Sequence, residues 1–198
     1  PMLDPDTALE FLRQRRSIRN FRDELVPEEK IRQLLEAARF APTAANSQGM
    51  YYLVIQDRDL IKKITDCVAD WMQEQIDNKS PQKRYFIKVL HVYRERGIDI
   101  IGRNARQLIF VLARRLNVTG PSNSEQSLAY AELYAPTLGL GTTIMGFIET
   151  CLRADYTPLR ELLQIPTKQV GVGCLLVGYP RYRYHKLVDR QHLKVEFR

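Results

Sequence analysis

Five consecutive positions, Arg15-Arg16-Ser17-Ile18-Arg19, carry three guanidiniums and one hydroxyl. Guanidiniums make planar, bidentate, charge-assisted hydrogen bonds that match phosphate oxygens. The run falls where a short amphipathic segment gives out. A cluster fixed beside a helix end in this way could hold a phosphate monoester. A plainer explanation also exists: cations are favourable near the negative end of a helix macrodipole and are simply solvated there.

Two further stretches invite a ligand. Ala41 to Gly49 is a run of small and polar residues in which Asn46 and Gln48 offer both donors and acceptors. It reads equally well as a surface turn. Gly139 to Gly146 could bring backbone N–H groups near a planar ligand, or could be a glycine-rich helix stop with a buried Ile144-Met145 pair. Cys67, Cys151 and Cys174 are far apart with no CxxC spacing, and Cys174 reads as a small core residue. His91, His185 and His192 show no metal-ligand spacing. A GxGxxG dinucleotide fingerprint is absent from the sequence.

The elements that must position these residues follow from periodicity. Asp4 can cap a helix with Pro5 at its first position, with Leu9, Phe11 and Leu12 as a buried face. A second helix follows Pro27 on the spacing of Ile31, Leu34, Leu35 and Ala38, and ends before Pro42. Tyr51 to Gln56 is a strand. Helix returns from about 60 to 76, while 78–105 fits one helix and a mobile connection. Leu108 to Ala113 is a buried strand. Ser122 and Glu125 have capping-box spacing for a helix over about 123–138, kinked by Pro136 and ended by Gly139 and Gly141. A short helix opens at Thr157-Pro158, and Val170 to Tyr179 is a strand buried on both faces. This alternation without tight βαβ spacing predicts an α+β class.

Composition sets the bounds. The chain has 198 residues, 44% hydrophobic and 27% charged, which suits one packed domain over 1–198. No run of about twenty apolar residues crosses a membrane. The acidic, proline-bearing start is unlike a signal peptide, so a cytoplasmic location is expected. A net charge of +7 admits anionic partners without choosing among them. No nucleic-acid module accompanies the basic residues, so a basic binding module without redox chemistry, for flavin storage or nucleic acid, is the alternative rather than the leading expectation.

Four pieces stand in order along the chain: Arg15 to Phe21, Ala37 to Gln48, Leu138 to Phe147, and Val177-Gly178-Tyr179-Pro180 with its basic tail. Their order and content resemble the nitroreductase family of FMN-dependent oxidoreductases. The tail, with Tyr182, Tyr184, His185 and Arg190 ahead of Val195-Glu196-Phe197, is similar to the branch often found beside ferredoxin domains. The resemblance covers nearly all of the chain outside 78–105. It implies a three-layer fold, with a mostly antiparallel central sheet flanked by helices, in an intertwined homodimer.

The resemblance also implies a site. Arg15, Arg16, Ser17 and Arg19 would clamp FMN, with Lys186 and Arg190 reaching its phosphate. Pro42, Thr43, Ala44, Asn46 and Gln48 would cross to the partner's FMN. Thr143, Ile144, Met145 and Gly146 would line the ring, their backbone tuning hydride acceptance. A cation from the middle segment, among Lys83, Arg84, Lys88 and Arg94, would lie near flavin N1 and O2. This chain has Ala44-Ala45 where many relatives carry Gly-Gly, Gly49 where they carry Pro, and Arg106 where Pro is common. The implied reaction is ping-pong: a reduced nicotinamide, NADH or NADPH, or else ferredoxin, reduces the flavin, and an electron-poor acceptor such as a nitroaromatic or quinone is reduced next. No side chain is named as catalytic, because the flavin would carry the chemistry.

Overall fold

The computed structural model describes residues 2–198. Four strands form one antiparallel sheet: β1 (Tyr51–Ile55), β2 (Gln107–Arg114), β3 (Gly141–Ile144) and β4 (Gln169–Gly178), in the order β1-β2-β4-β3. The helices are α1 (Pro5–Gln14), α2 (Glu28–Arg39), α3 (Arg58–Asp77), α4 (Lys83–Leu90), α5 (Gly120–Tyr134), α6 (Gly146–Arg153) and α7 (Thr157–Leu162).

Side chains alternate across a strand, so β2 feeds two cores. Leu108, Phe110 and Leu112 pack under α3, α4, α6 and α7 with Cys174 and Leu176. Ile109, Val111 and Ala113 pack under α2 and α5 with Leu175 and Val177. The result is three layers, helices on both faces of the sheet. Cys174 is fully buried, and burial pushes its thiol well above the usual range.

Several expectations need correction. The α1 face does not pack: Leu9 is 55% and Leu12 51% exposed, although Asp4 caps the helix as expected by accepting from the Thr7 N–H at 3.0 Å. The supposed capping box is not used. α5 begins earlier, at Gly120, and the Ser122 hydroxyl instead donates to the Thr119 carbonyl at 3.0 Å. The last turn, Ala135–Leu138, tightens to a 3-10 helix because Pro136 has no N–H to continue the α ladder. Gly139, at φ 71°, ends it in the left-handed conformation. Gly141 belongs to no helix stop; it opens β3, and α6 follows directly. The 78–105 segment contains α4, a π turn over His91–Glu95 and a connection back to the sheet.

Candidate functional site

The arginine run is placed by backbone pairing. α1 stops at Gln14, and Arg15 turns extended with φ −61° and ψ 125°. Ser17 then forms a parallel bridge with Thr142, and the Ile18 N–H donates to the Thr142 carbonyl at 2.8 Å. Ile18 and Phe21 are the buried anchors of this segment. The approach is so close that a Cβ on Gly141 would sit 2.6 Å from Ile18. Phe21 bridges Pro180, and the Arg22 N–H donates to the Tyr179 carbonyl at 2.8 Å. The run is thereby held against β3 and the end of β4.

The three guanidiniums part company. Arg15 Nη1 lies 3.4 Å from Ser17 Oγ and 3.8 Å from Glu132 Oε1. Glu132, on α5, is 7% exposed. Burial raises its carboxyl above the usual range, against the opposing pull of Arg15 and then Arg19. Arg16 turns the other way: Nη2 donates to the Lys186 carbonyl at 2.9 Å, and its guanidinium lies 4.5 Å over the Tyr184 ring. Arg13 Nε donates to the Val188 carbonyl at 3.2 Å. These contacts dock the tail on α1 and enclose a cavity of about 360 Å³ that Arg13, Arg16, Arg183, His185 and Lys186 help to line. Arg190 stays exposed, its N–H donating to Asp189.

The second loop is built, not loose. The Ala44 N–H donates to Asn123 Oδ1 at 3.0 Å, and the Gln48 N–H donates to Thr43 Oγ1 at 3.1 Å. Asn123, buried on α5, also donates to Ser47 Oγ at 3.4 Å. Ala45, Asn46 and Gln48 all take positive φ, near 50°. Ala45 thus adopts, at a cost of about 1–2 kcal/mol, a conformation that glycine enters freely. Pro42, Ala44, Asn46 and Gln48 remain exposed and Thr43 half-buried, so the loop projects from the chain that builds it.

The third stretch lies beside the clamp. Thr143 is buried, Ile144 is 38% exposed, and Met145 caps α6, its N–H donating to the Cys174 carbonyl at 3.2 Å. A Cβ on Gly146 would meet nothing within 4 Å. The start of α6 therefore offers unpaired N–H groups and a positive dipole end to open space. The Phe147 and Tyr85 rings meet nearby, tilted by 38° with centroids 5.5 Å apart.

Sequence reasoning missed Asn123, Glu132 and Arg103. Of the middle-segment candidates, Arg94 is committed to Asp70 at 2.6 Å, while Lys83, Arg84 and Lys88 lie exposed on α4. Arg103, in the turn before β2, is half-buried, and both burial and the charge of Arg19 lower its guanidinium from the ordinary range. Arg106, unexplained in the sequence, pairs with Asp23 at 2.7 Å. Only the polar spacing of Asn123, Ser124 and Ser127 within a helix hinted that α5 buries polar groups.

A cationic clamp paired onto the edge strand that leads into an open helix start, on a three-layer α+β frame, defines a class of protein. The nitroreductase family model matches residues 12–179, and the chain belongs to that family. The FMN reductase [NAD(P)H] of Bacillus subtilis is 27% identical over 179 residues, which are 90% of this chain and 68% of that protein. Iodotyrosine deiodinase 1 of Mus musculus is 26% identical over 179 residues, 86% of this chain and 61% of that one, so the chain spans under two thirds of that relative. A nitroreductase structure with bound FMN from Desulfitobacterium hafniense superposes with a TM-score of 0.75 at 18% identity, covering 98% of this chain and all of that one.

Proposed function

We propose that the chain is one FMN-binding unit over 1–198 that works as a homodimeric oxidoreductase. The observation that carries this is the Ser17–Thr142 bridge, which brings the arginine run and the open start of α6 to one place. The residues fit the group. Arg15 and Ser17 offer phosphate donors and the α6 start offers N–H groups to a ring edge, while Arg16 and Lys186, which face the tail, would reach the phosphate by a movement of that tail. Arg190 would join the clamp by a movement of the exposed tail. Bound FMN supplies a ring that takes up a hydride and passes two electrons on. Arg19 holds positive charge beside that ring. Ile144, 38% exposed, would contact the ring, with Thr143 and Met145 buried behind it.

Two unpartnered features support the dimer. β3 is covered by the Ser17 segment, so β1 is the open sheet edge, with unused backbone donors and acceptors. The tail ends in Leu193, Val195 and Phe197, all exposed and alternating with charged residues, which is a strand pattern. A second copy's tail would add to β1 as a further strand and cover apolar surface that includes Tyr51. The loop Pro42 to Gln48 would then reach the second copy's FMN through Pro42, Thr43, Ala44, Asn46 and Gln48.

The donor is NADH or NADPH, with ferredoxin as the alternative that the tail's branch favours. The acceptor is a small electron-poor molecule such as a nitroaromatic or quinone. Relatives named for flavin reduction and for iodotyrosine deiodination are similarly distant, so the acceptor stays at that class. No helix among the described residues is long and apolar enough to cross a membrane. A cytoplasmic site of action is part of the proposal.

The test is anaerobic. FMN-loaded protein mixed with NADH or NADPH should lose its flavin absorbance, and added quinone should restore it. Initial rates should give parallel double-reciprocal lines. A protein that takes up no FMN, yet binds duplex DNA with steep salt dependence, would be the basic binding module instead.

A further inference from the structure

A cleft of about 1260 Å³ opens on the other side of Arg19, between residues 19–23, α3 and the turn 97–106. Eight basic and four acidic side chains line it. Most of the acids are already engaged. Asp23 is shared by Arg58 and Arg106, and Asp66 is bound by Lys62 and by the Tyr93 hydroxyl at 2.8 Å. Asp99 accepts from the backbone N–H groups of Ile101, Gly102 and Asn104 at 3.1, 2.6 and 2.9 Å. Asp59 remains, exposed at the rim. Arg19, Arg22, Arg103 and Arg181 have no carboxylate within ion-pair distance among the described residues.

Arg103 is the most informative of these. It takes φ 56° and Asn104 takes φ 51°, so two consecutive non-glycine residues are left-handed. Strain of this kind persists only where surrounding structure enforces it. Here the Asp99 carboxylate and the fully buried Ile101 do so. The turn presents a half-buried guanidinium towards a like charge, Arg19. Burial first, and Arg19 second, hold Arg103 below the ordinary guanidinium range. Its Nε is buried without a hydrogen-bond partner, and so is Nε of Arg106 on the same wall. The two orphaned buried donors are costly unless an acceptor completes them, and the exposed Arg19, Arg22 and Arg181 around the same cleft favour an anion with several oxygens as that acceptor.

We propose that this cleft binds the diphosphate of a nucleotide, the adenosine-bearing half of the nicotinamide donor, with Arg103 and Arg181 as its anion contacts. The assignment rests on the flavin reading above. Because Arg19 stands between clamp and cleft, a donor whose nicotinamide lay over the flavin would lay its phosphates here.

ADP-ribose is the probe, since it carries the diphosphate and adenosine but no nicotinamide to reduce or stack on a flavin. Calorimetric titration into FMN-free and FMN-loaded protein should show saturable binding. Arg103→Asn, a residue that tolerates positive φ, combined with Arg181→Gln, should weaken it about tenfold or more while leaving FMN affinity unchanged. Thermal melts of the variant establish that it folds; Arg181→Gln alone, which leaves the strained turn unchanged, should give a smaller loss in the same direction. Absence of saturable binding, or binding untouched in both variants, would overturn the proposal. So would pyrophosphate binding as tightly as ADP-ribose, which marks a site for free anions, or a parallel loss of FMN affinity, which would give Arg103 to the flavin site. A wild-type protein that binds ADP-ribose but no FMN would refute the flavin reading, and the donor role with it, while leaving a nucleotide-diphosphate site in the cleft.

Discussion

Arg15 and Glu132 form an ion pair at 3.8 Å, a guanidinium 25% exposed against a carboxylate in the α5 wall. Arg15→Ala removes a charge-assisted phosphate contact and should weaken FMN binding by about 2–4 kcal/mol, read by fluorescence titration. Glu132 gives the site a pH dependence whose sign follows from its raised carboxyl. Between the unfolded and the folded pKa, the native protein holds a proton that the unfolded chain has released. Stability therefore falls as pH rises through that window, from the ordinary carboxylate range upward. Glu132→Gln should flatten this decline in denaturant melts of FMN-free protein; a slope equal to wild type would clear Glu132 of the role. The arginine run was legible because three guanidiniums in five residues are rare in type and spacing. Glu132, Asn123 and Arg103 were not, because their partners are distant in sequence and nothing local marks them.

At the scale of elements, β3 decides whether the clamp exists. Its four residues gave no strand signal of their own, since Gly141-Thr142-Thr143-Ile144 is too short for a periodic pattern and follows a glycine that ends a helix. Pairing with β4 makes it a strand. The long apolar runs of β2 and β4 and the periodic α2 and α3 were readable because their pattern exceeds the noise of single residues. α1 shows the opposite case: its amphipathic pattern was read correctly, and its apolar side meets no core in the single chain. Gly141→Ala tests β3 directly. The added methyl meets Ile18 at 2.6 Å and should destabilise the protein by about 1–3 kcal/mol. FMN affinity should fall with it, because the arginine run is displaced as a unit. Wild-type affinity in a destabilised Gly141→Ala protein would detach the clamp from the strand.

For the whole molecule, exposed apolar residues mark the surface that the proposed dimer would use. Leu9 and Leu12 of α1, Tyr130 of α5, and Leu193, Val195 and Phe197 of the tail are all more than 40% exposed. Scattered single residues need no explanation, but an alternating apolar pattern at 193–197, in a chain that also leaves a sheet edge unpaired, does. Truncation after Arg190 removes that segment and spares the docking of Arg13 and Arg16 on Val188 and Lys186. Sedimentation should then show a full-length dimer and a truncated monomer, the monomer retaining little FMN. An unaltered dimer would place the interface elsewhere. The family was legible in the order of four motifs, whereas a single chain offers the proposed dimer only indirect support.

The measurement that bears most directly on the central claim is the flavin content of the purified protein after saturation with FMN and removal of the excess, for wild type and for Arg15→Ala in parallel. One FMN per chain in wild type, released as FMN on denaturation and largely lost from Arg15→Ala, is the result expected. A wild-type protein that emerges colourless, or an Arg15→Ala protein that keeps a full complement of FMN, would contradict a flavin site built on this clamp.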